Sequence, residues 1–224
     1  QDSPRSTQLQ PGYAAMSPAY DFDYVVIGSG FGGSVSACRL TEKGYTVGVM
    51  EMGRRWNAQD FPKSNWDMRR WMWMPGLKLF GFYSMQRFRH VMAASGNAVG
   101  GGSITYANAL LTPSASIWDE GSWQGLADWK RIMPGYYALA EKMLGVTESQ
   151  IMSEADHRLQ RMAELHGAGH TFHAPRVGTF FAPEGEAGGQ TYPDPYFNGE
   201  GPERGTCVGC GGCMMGCKHN AKNT

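Results

Sequence analysis

The chain has 224 residues, 42% hydrophobic and 12% aromatic, which places it among globular proteins with enough apolar matter for one large or two small domains. Twenty basic residues balance twenty acidic ones, so there is no electrostatic footprint for nucleic acid or an anionic membrane surface, and a small, weakly charged substrate fits better. No run approaches the roughly 18 consecutive apolar residues of a spanning helix, which excludes such a helix in this sequence.

Residues 1–15 are polar, carry Pro4, Pro11 and Gly12, and lack the apolar run of a signal peptide. Met16 is therefore the candidate true start, with residues 1–19 a disordered or non-native extension and the cytoplasm the expected compartment. A chain that begins at Gln1 and stops at Thr224 without a closing element reads as a fragment.

The organising stretch follows. Residues 24–27 form a short apolar run rich in β-branched side chains, expected of a parallel strand buried on both faces. The run ends at Gly28, and glycines recur at 30 and 33. The first permits a tight turn, the second lets the backbone approach a pyrophosphate, and the third lets the next helix pack closely on the strand. A helix is predicted over 34–43 with Gly44 as its stop, its N-terminus offering free N–H groups to phosphates. A second apolar run, 45–50, ends in Glu51, 18 residues beyond Gly33, where a carboxylate accepts from adenosine ribose hydroxyls. That acid argues against a 2'-phosphorylated ribose, although Arg54 and Arg55 just after it keep NADP as an alternative. Cys38 is expected on the packed side of the helix as a structural thiol.

Residues 53–92 are dense in aromatics and methionines but broken by Pro62, Pro75, Gly76 and Gly81, which predicts short helices and loops laid over a ligand, as a lid, an interface or a substrate contact. Residues 96–103 form a second glycine-rich segment, in which consecutive glycines let main-chain N–H groups approach a flat ring. No strand is predicted before it, so it is not a second dinucleotide fold. Residues 118–144 carry Trp118, Trp123 and Trp129 and end in an amphipathic helix with Pro134 near its start and Gly145 at its stop. A further helix is predicted over 154–165 with Leu159, Met162 and Leu165 on its buried side. His166, His170 and His173 have metal-like spacing, but Gly167 and Gly169 spoil the helix, and ordinary loop histidines are expected. Residues 174–205, rich in Pro and Gly, read as a long ordered loop or irregular strand pair.

Cys207, Cys210, Cys213 and Cys217 are separated by two, two and three residues, as in a ferredoxin-type run. An iron–sulfur cluster, zinc, or no metal at all remain open for them, and a reducing cytoplasm disfavours disulfides. Lys218 stands where such runs commonly have Pro.

The glycine fingerprint with Glu51, the segment 99–103, the cysteine run, and the stretches 54–56, 193–196 and 221–224 together resemble the glucose-methanol-choline flavin oxidoreductases, and within them the bacterial cholesterol oxidase-like branch. The resemblance runs from about Tyr20 to the end. It implies an α/β chain: a Rossmann-like FAD-binding domain, incomplete, over 20–115, the start of a substrate-side domain over 116–206, and a Cys-rich segment over 207–224. It implies that Gly28, Ser29, Gly30, Phe31, Gly33 and Glu51 hold the adenosine diphosphate of FAD, and that Gly101, Gly102 and Ser103 lie against the flavin. The wider family usually has Asn where this chain has Tyr106, so Tyr106 and Asn108 are both candidates to face the isoalloxazine. The implied activity is FAD-dependent oxidation of a small alcohol, of which a sterol is one candidate, with oxygen or another acceptor reoxidising the flavin. The family's base, a His with a His or Asn partner, belongs downstream of Thr224. The rival readings are an NAD-dependent dehydrogenase and an electron-transfer module in which the cysteines carry the chemistry.

Overall fold

A computed structural model describes residues 20–224, so the expectations for residues 1–19 lie outside the described residues. Strand β1 (Tyr24–Ile27) leads through the glycine turn into helix α1 (Phe31–Glu42), which returns to strand β2 (Val47–Met50). The strands are parallel, with Tyr24 opposite Val47 and Ile27 opposite Met50, as a βαβ unit requires. Helix α1 begins three residues before the predicted 34, because Gly30 is extended and its carbonyl already accepts the Ser34 N–H at 2.9 Å. Gly44, at φ +88°, provides the predicted stop. The strand was expected to be buried on both faces. Among the described residues β1 pairs with β2 alone, and one helix cannot cover both sides of a two-stranded sheet, so Ile27 is 87% exposed. Cys38 likewise stands exposed, its Sγ 3.7 Å from Glu42 Oε1, which corrects its assignment to a packed face.

Much of the aromatic stretch forms the buried core, while Trp66, Phe80 and Phe88 stand exposed. A one-turn helix α2 (Met68–Trp71) leads into the pair β3 (Trp73–Met74) and β4 (Leu79–Phe80), and then into the hairpin β5 (Tyr83–Arg87) and β6 (Met92–Gly96). These short elements point Trp56, Phe61, Trp71, Met72, Phe82 and Tyr83 inward together with Ala98 and Ile104. Phe82, fully buried, sits edge-on to Trp56 at 5.2 Å and to Phe61 at 5.3 Å, while Trp71 stacks on Tyr83 at 5.1 Å. Offset and edge-on aromatic contacts of this kind add stability beyond the area they bury.

Strand β6 runs directly into the second glycine segment, contrary to the expectation that no strand precedes it. The strand belongs to an antiparallel hairpin, so no second βαβ unit arises from it. The segment closes in the short helix α3 (Gly102–Thr105). Helix α4 (Trp129–Met143) starts earlier than predicted because the Asp128 carboxylate caps it, accepting from the Arg131 N–H, which leaves Pro134 inside the helix. Gly145 at φ +57° ends it as expected. After β7 (Thr147–Glu148), helix α5 (Glu154–Leu165) has the predicted limits, set by a reciprocal capping box between Ser153 and Asp156. Its Leu159, Met162 and Leu165 are exposed and not buried as predicted, Leu159 lying at the edge of a cavity instead of in a packed core. The loop region forms two-residue pairs: β8 (Arg176–Val177) with β7, and β9 (Thr191–Tyr192) with β10 (Arg204–Gly205). No helix of the described residues is long and apolar enough to cross a membrane.

Candidate dinucleotide site

At the end of β1, Gly28 adopts φ +92°, a conformation only glycine takes freely, and turns the chain into α1. A methyl group added at Gly33 would overlap the Gly28 carbonyl oxygen and stand 3.3 Å from Val26 Cγ1, so helix and strand pack as closely as their backbones permit. At Gly28, Gly30 and Gly32 an added Cβ would meet nothing within 4 Å. The N-terminus of α1 therefore opens on free space, and no side chain caps it. Open backbone, a bare helix start and its partial positive charge suit a pyrophosphate.

Glu51 closes the far side of the turn. Its Oε2 accepts from the Ser29 N–H at 2.9 Å and from the Ser29 hydroxyl at 2.8 Å, and its Oε1 accepts from the Gly53 N–H at 3.0 Å. Partial burial pushes the carboxyl up, but the bonds from Gly53 and Ser29 outweigh it and hold the group below the usual carboxylate range. The carboxylate is thus ionised and oriented, with lone pairs left for a ribose hydroxyl. Arg54 lies over the Trp56 ring, 3.8 Å from its centroid.

The fold also brings the two glycine segments together. Ser29 Oγ accepts the Gly100 N–H at 3.1 Å, and a Cβ on Gly101 would come 2.9 Å from Gly30 Cα. Glu51, Ser29 and Gly100 form one chain of hydrogen bonds linking positions 71 residues apart. Ser103, in α3, is buried and donates to the Gly100 carbonyl at 2.8 Å, holding the turn.

The polar ends of Tyr106 and Asn108 both lie beside Gly178, where an added Cβ would stand 3.3 Å from the Tyr106 hydroxyl and 3.5 Å from Asn108 Oδ1. The Tyr106 ring packs edge-on to Phe31 at 5.7 Å, and its hydroxyl is buried with no partner among the described residues; burial pushes its pKa up to about 12. Asn108, 3% exposed and at φ +74°, lines a cavity of about 590 Å³ and carries a buried, unpartnered Oδ1. Ile151, Leu159, Phe172 and Phe181 supply much of the apolar wall of that cavity. Such a mostly apolar cleft is of the kind that takes a small organic ligand.

The four cysteines of the C-terminal run line one cavity of about 30 Å³, room for a water molecule or two. Cys207 Sγ accepts from the Gly209 N–H and Cys217 Sγ from the Ala221 N–H. Burial pushes the Cys207 and Cys213 thiols up. Among the described residues no three His, Cys, Asp or Glu side chains gather to hold a metal ion. Neither this geometry nor any relative supports the iron–sulfur cluster that the spacing suggested. Sequence spacing sets where the thiols stand along the chain, whereas convergence on one point depends on the loop's path. The histidines at 166, 170 and 173 lie at the end of α5 and in the loop after it, as expected.

One buried group went unnoticed in the sequence. Lys222 is 2% exposed, and its Nζ donates to the carbonyls of Ile104 at 2.8 Å, Cys213 at 2.9 Å and Tyr106 at 3.3 Å. Lysines are almost never fully buried, so nothing in the local sequence marks it.

An NAD(P)-binding Rossmann-like domain model matches residues 26–61. The chain is 70% identical over 205 residues to a cholesterol oxidase of Acinetobacter baumannii, covering 92% of this chain and 37% of that protein. It is 45% identical to a cholesterol oxidase of Mycobacterium tuberculosis, covering 91% of this chain and 36% of that protein. An uncharacterized GMC-type oxidoreductase of the same species is 34% identical over 110 residues, covering 47% of this chain and 17% of that protein. The chain thus spans little more than a third of the length of the first two relatives.

Proposed function

The chain belongs to the glucose-methanol-choline oxidoreductases, in their cholesterol oxidase-like branch, and from that membership we propose that it forms the FAD-holding part of an oxidoreductase acting on CH–OH donors. When bound, FAD accepts the hydride of the substrate carbinol carbon. The protein's part is to bind, orient and exclude water. Gly28, Ser29, Gly30, Phe31 and Gly33 hold the pyrophosphate on backbone N–H groups at the start of α1, and Glu51 accepts from the ribose. Gly101, Gly102 and Ser103 form the surface against the flavin. Tyr106 and Asn108 both remain candidates to face the ring, Tyr106 packing on Phe31 and Asn108 belonging to the lining of the larger cavity.

What supports this reading above all is the contact between the two glycine segments, Gly101 against Gly30 and Gly100 against Ser29. A dinucleotide that begins on the first segment meets the second without any intervening side chain. The substrate is a small alcohol, for which a sterol is the candidate suggested by the relatives' names, and oxygen is the proposed acceptor. The proposed division is a first part of the FAD domain over 20–115, the start of a substrate-side domain over 116–206, and a linking segment over 207–224. The proposed compartment is the cytoplasm, whose reducing poise keeps the five thiols free.

The test is to denature the purified full-length protein and identify what it releases. One FAD per chain is expected. Release of a nicotinamide dinucleotide, or of nothing, would contradict the assignment.

A further inference from the structure

The cysteine run takes no part in the dinucleotide site, and its thiols form no disulfide and no metal-holding group among the described residues. All four nonetheless line the one cavity of about 30 Å³, so thiols spread over 207–217 share a single small space. The run has a fixed end and a loose one. On the C-terminal side Met215 packs against the aromatic core and a Cβ on Gly216 would overlap the Phe61 ring, which anchors the turn that begins at Cys213. On the N-terminal side no N–H of residues 208–212 donates to a backbone carbonyl among the described residues, and 208–211 stand exposed. Gly209 at φ +69° and Gly211 at φ +68° carry the chain there through conformations that other residues rarely adopt.

Of the four residues Cys210 alone is exposed, while Cys207, Cys213 and Cys217 are half-buried. Only Gly211 and Gly212 separate Cys210 from Cys213, and neither has a side chain to obstruct their approach. A Cβ on Gly212 would stand 3.5 Å from Cys210 Sγ, so this sulfur already lies beside the residue preceding Cys213. His219 and Lys222 belong to the cavity wall and no carboxylate does. Burial raises the Cys213 thiol, and the Lys222 charge opposes that rise. A solvent-open sulfur in an electropositive corner, with a second thiol two glycines away, is the arrangement of a redox-reactive pair.

We propose that Cys210 and Cys213 form a peroxide-reactive dithiol. The Cys210 sulfur attacks one oxygen of hydrogen peroxide, the O–O bond breaks, and the departing hydroxide takes a proton to become water, leaving Cys210 as a sulfenic acid. The Cys213 sulfur then attacks the sulfenic sulfur, and the S–OH bond breaks to release a second water as the S–S bond forms. Two thiols and one peroxide thus become one disulfide and two waters, each sulfur giving up one electron to the peroxide. A dithiol reductant reopens the bridge by exchange. The source of the oxidant rests on the FAD reading above, in which an alcohol and oxygen give a carbonyl compound and hydrogen peroxide. That peroxide arises beside the second glycine segment, and the Cys213 turn packs against α3 at the end of that segment, so the dithiol meets it where it is most concentrated.

In the experiment the full-length protein is reduced, freed of reductant without oxygen, treated with a small excess of hydrogen peroxide, alkylated, and mapped by peptide mass spectrometry. A Cys210–Cys213 disulfide that dithiothreitol removes is the expected product. Cys38, exposed but outside the run, is the internal reference, and the Cys210 thiol is expected to be lost at least about tenfold faster. C213S is expected to hold Cys210 as a sulfenic acid that dimedone labels, and C210S to leave Cys213 reduced. Equal rates at Cys210 and Cys38, or a bridge between other cysteines, would overturn the proposal, as would a C210S protein that still loses the Cys213 thiol. Because the peroxide is added from outside, a protein that releases no FAD contradicts the parent reading alone, and the mapping still decides this one. When the FAD-containing protein turns over an alcohol in air, added catalase is expected to suppress the bridge, and a bridge that forms equally with catalase would overturn peroxide as the oxidant.

Discussion

Gly30 and Gly33 belong to one fingerprint but are glycines for different physical reasons, and exchanging each separates fold from ligand. At Gly33 a methyl group would overlap the Gly28 carbonyl oxygen and press on its carbonyl carbon at 3.0 Å. The obstacle is backbone, so α1 must shift off β1, and overpacking of this kind costs about 1–3 kcal/mol. Gly33→Ala is expected to cost towards the upper end and to weaken FAD binding as a consequence of the displaced helix. At Gly30 the backbone is already extended, at φ −68° and ψ −173°, and an added Cβ meets nothing within 4 Å. Gly30→Val should therefore cost no more than about 1 kcal/mol, the loss of a favourable N-cap residue, yet fill the space a pyrophosphate must enter. Urea unfolding of the apoprotein gives the stability, and flavin fluorescence on titration with FAD gives the affinity. The expected pattern is a stability loss dominated by Gly33→Ala and an affinity loss dominated by Gly30→Val. Stoichiometric FAD retention by Gly30→Val, or an unchanged urea midpoint for Gly33→Ala, would refute the reasoning.

Phe82→Ala removes the fully buried centre of the aromatic core and is expected to cost about 3–5 kcal/mol in urea unfolding, whereas a lid residue would cost far less. Glu51 has a carboxyl held below its usual range, so its contribution is present at neutral pH and is lost as pH falls through the depressed value. The stability difference between wild type and Glu51→Gln should accordingly persist at pH 5 and vanish only below the ordinary carboxylate range, and a difference that is the same at every pH would count against the Ser29–Glu51–Gly53 network. The 224-residue chain on its own leaves Ile27, Leu159 and Leu165 exposed, and should bind a hydrophobic dye strongly; a chain that is monomeric and dye-silent would contradict the picture of uncovered apolar faces. Metal analysis of the anaerobically purified full-length protein should find no stoichiometric iron or acid-labile sulfide, with the four C-terminal thiols titratable after unfolding; finding both would restore the cluster.

The strand, glycine turn, helix and acid of residues 24–51 were legible because every requirement there is local. A tight turn needs Gly28, close packing needs Gly33, and the helix stop needs Gly44, each within a few residues of its cause. The limits of α5 were legible for the same reason, since the Ser153 and Asp156 box is a three-residue signal. The short elements over 56–83 were legible from the Pro and Gly breaks, but not which aromatics turn inward, because elements of two to five residues are too short for either period and their inward faces are set by hairpin pairing. The surroundings of Tyr106 and Asn108 hung on tertiary contact: Phe31 and Lys222 pack on the tyrosine ring, and Asn108 is buried at a positive φ. The cysteine spacing is compatible with a cluster, but whether four thiols gather round one ion depends on the path of the loop, and among the described residues no such group forms. Lys222 was invisible because its burial is decided by tertiary acceptors, two of the three lying more than a hundred residues away.

The account rests on a cofactor held across the two glycine segments that takes hydride from an alcohol carbon, and anaerobic mixing tests this most directly. The full-length protein is mixed without oxygen with a sterol bearing a free hydroxyl and, separately, with the corresponding ketone, while the visible flavin bands are followed. Bleaching of those bands by the alcohol and not by the ketone, with colour returning on admission of air, is the expected result. A protein whose flavin stays oxidised in the presence of sterols and simple primary and secondary alcohols alike would contradict the account.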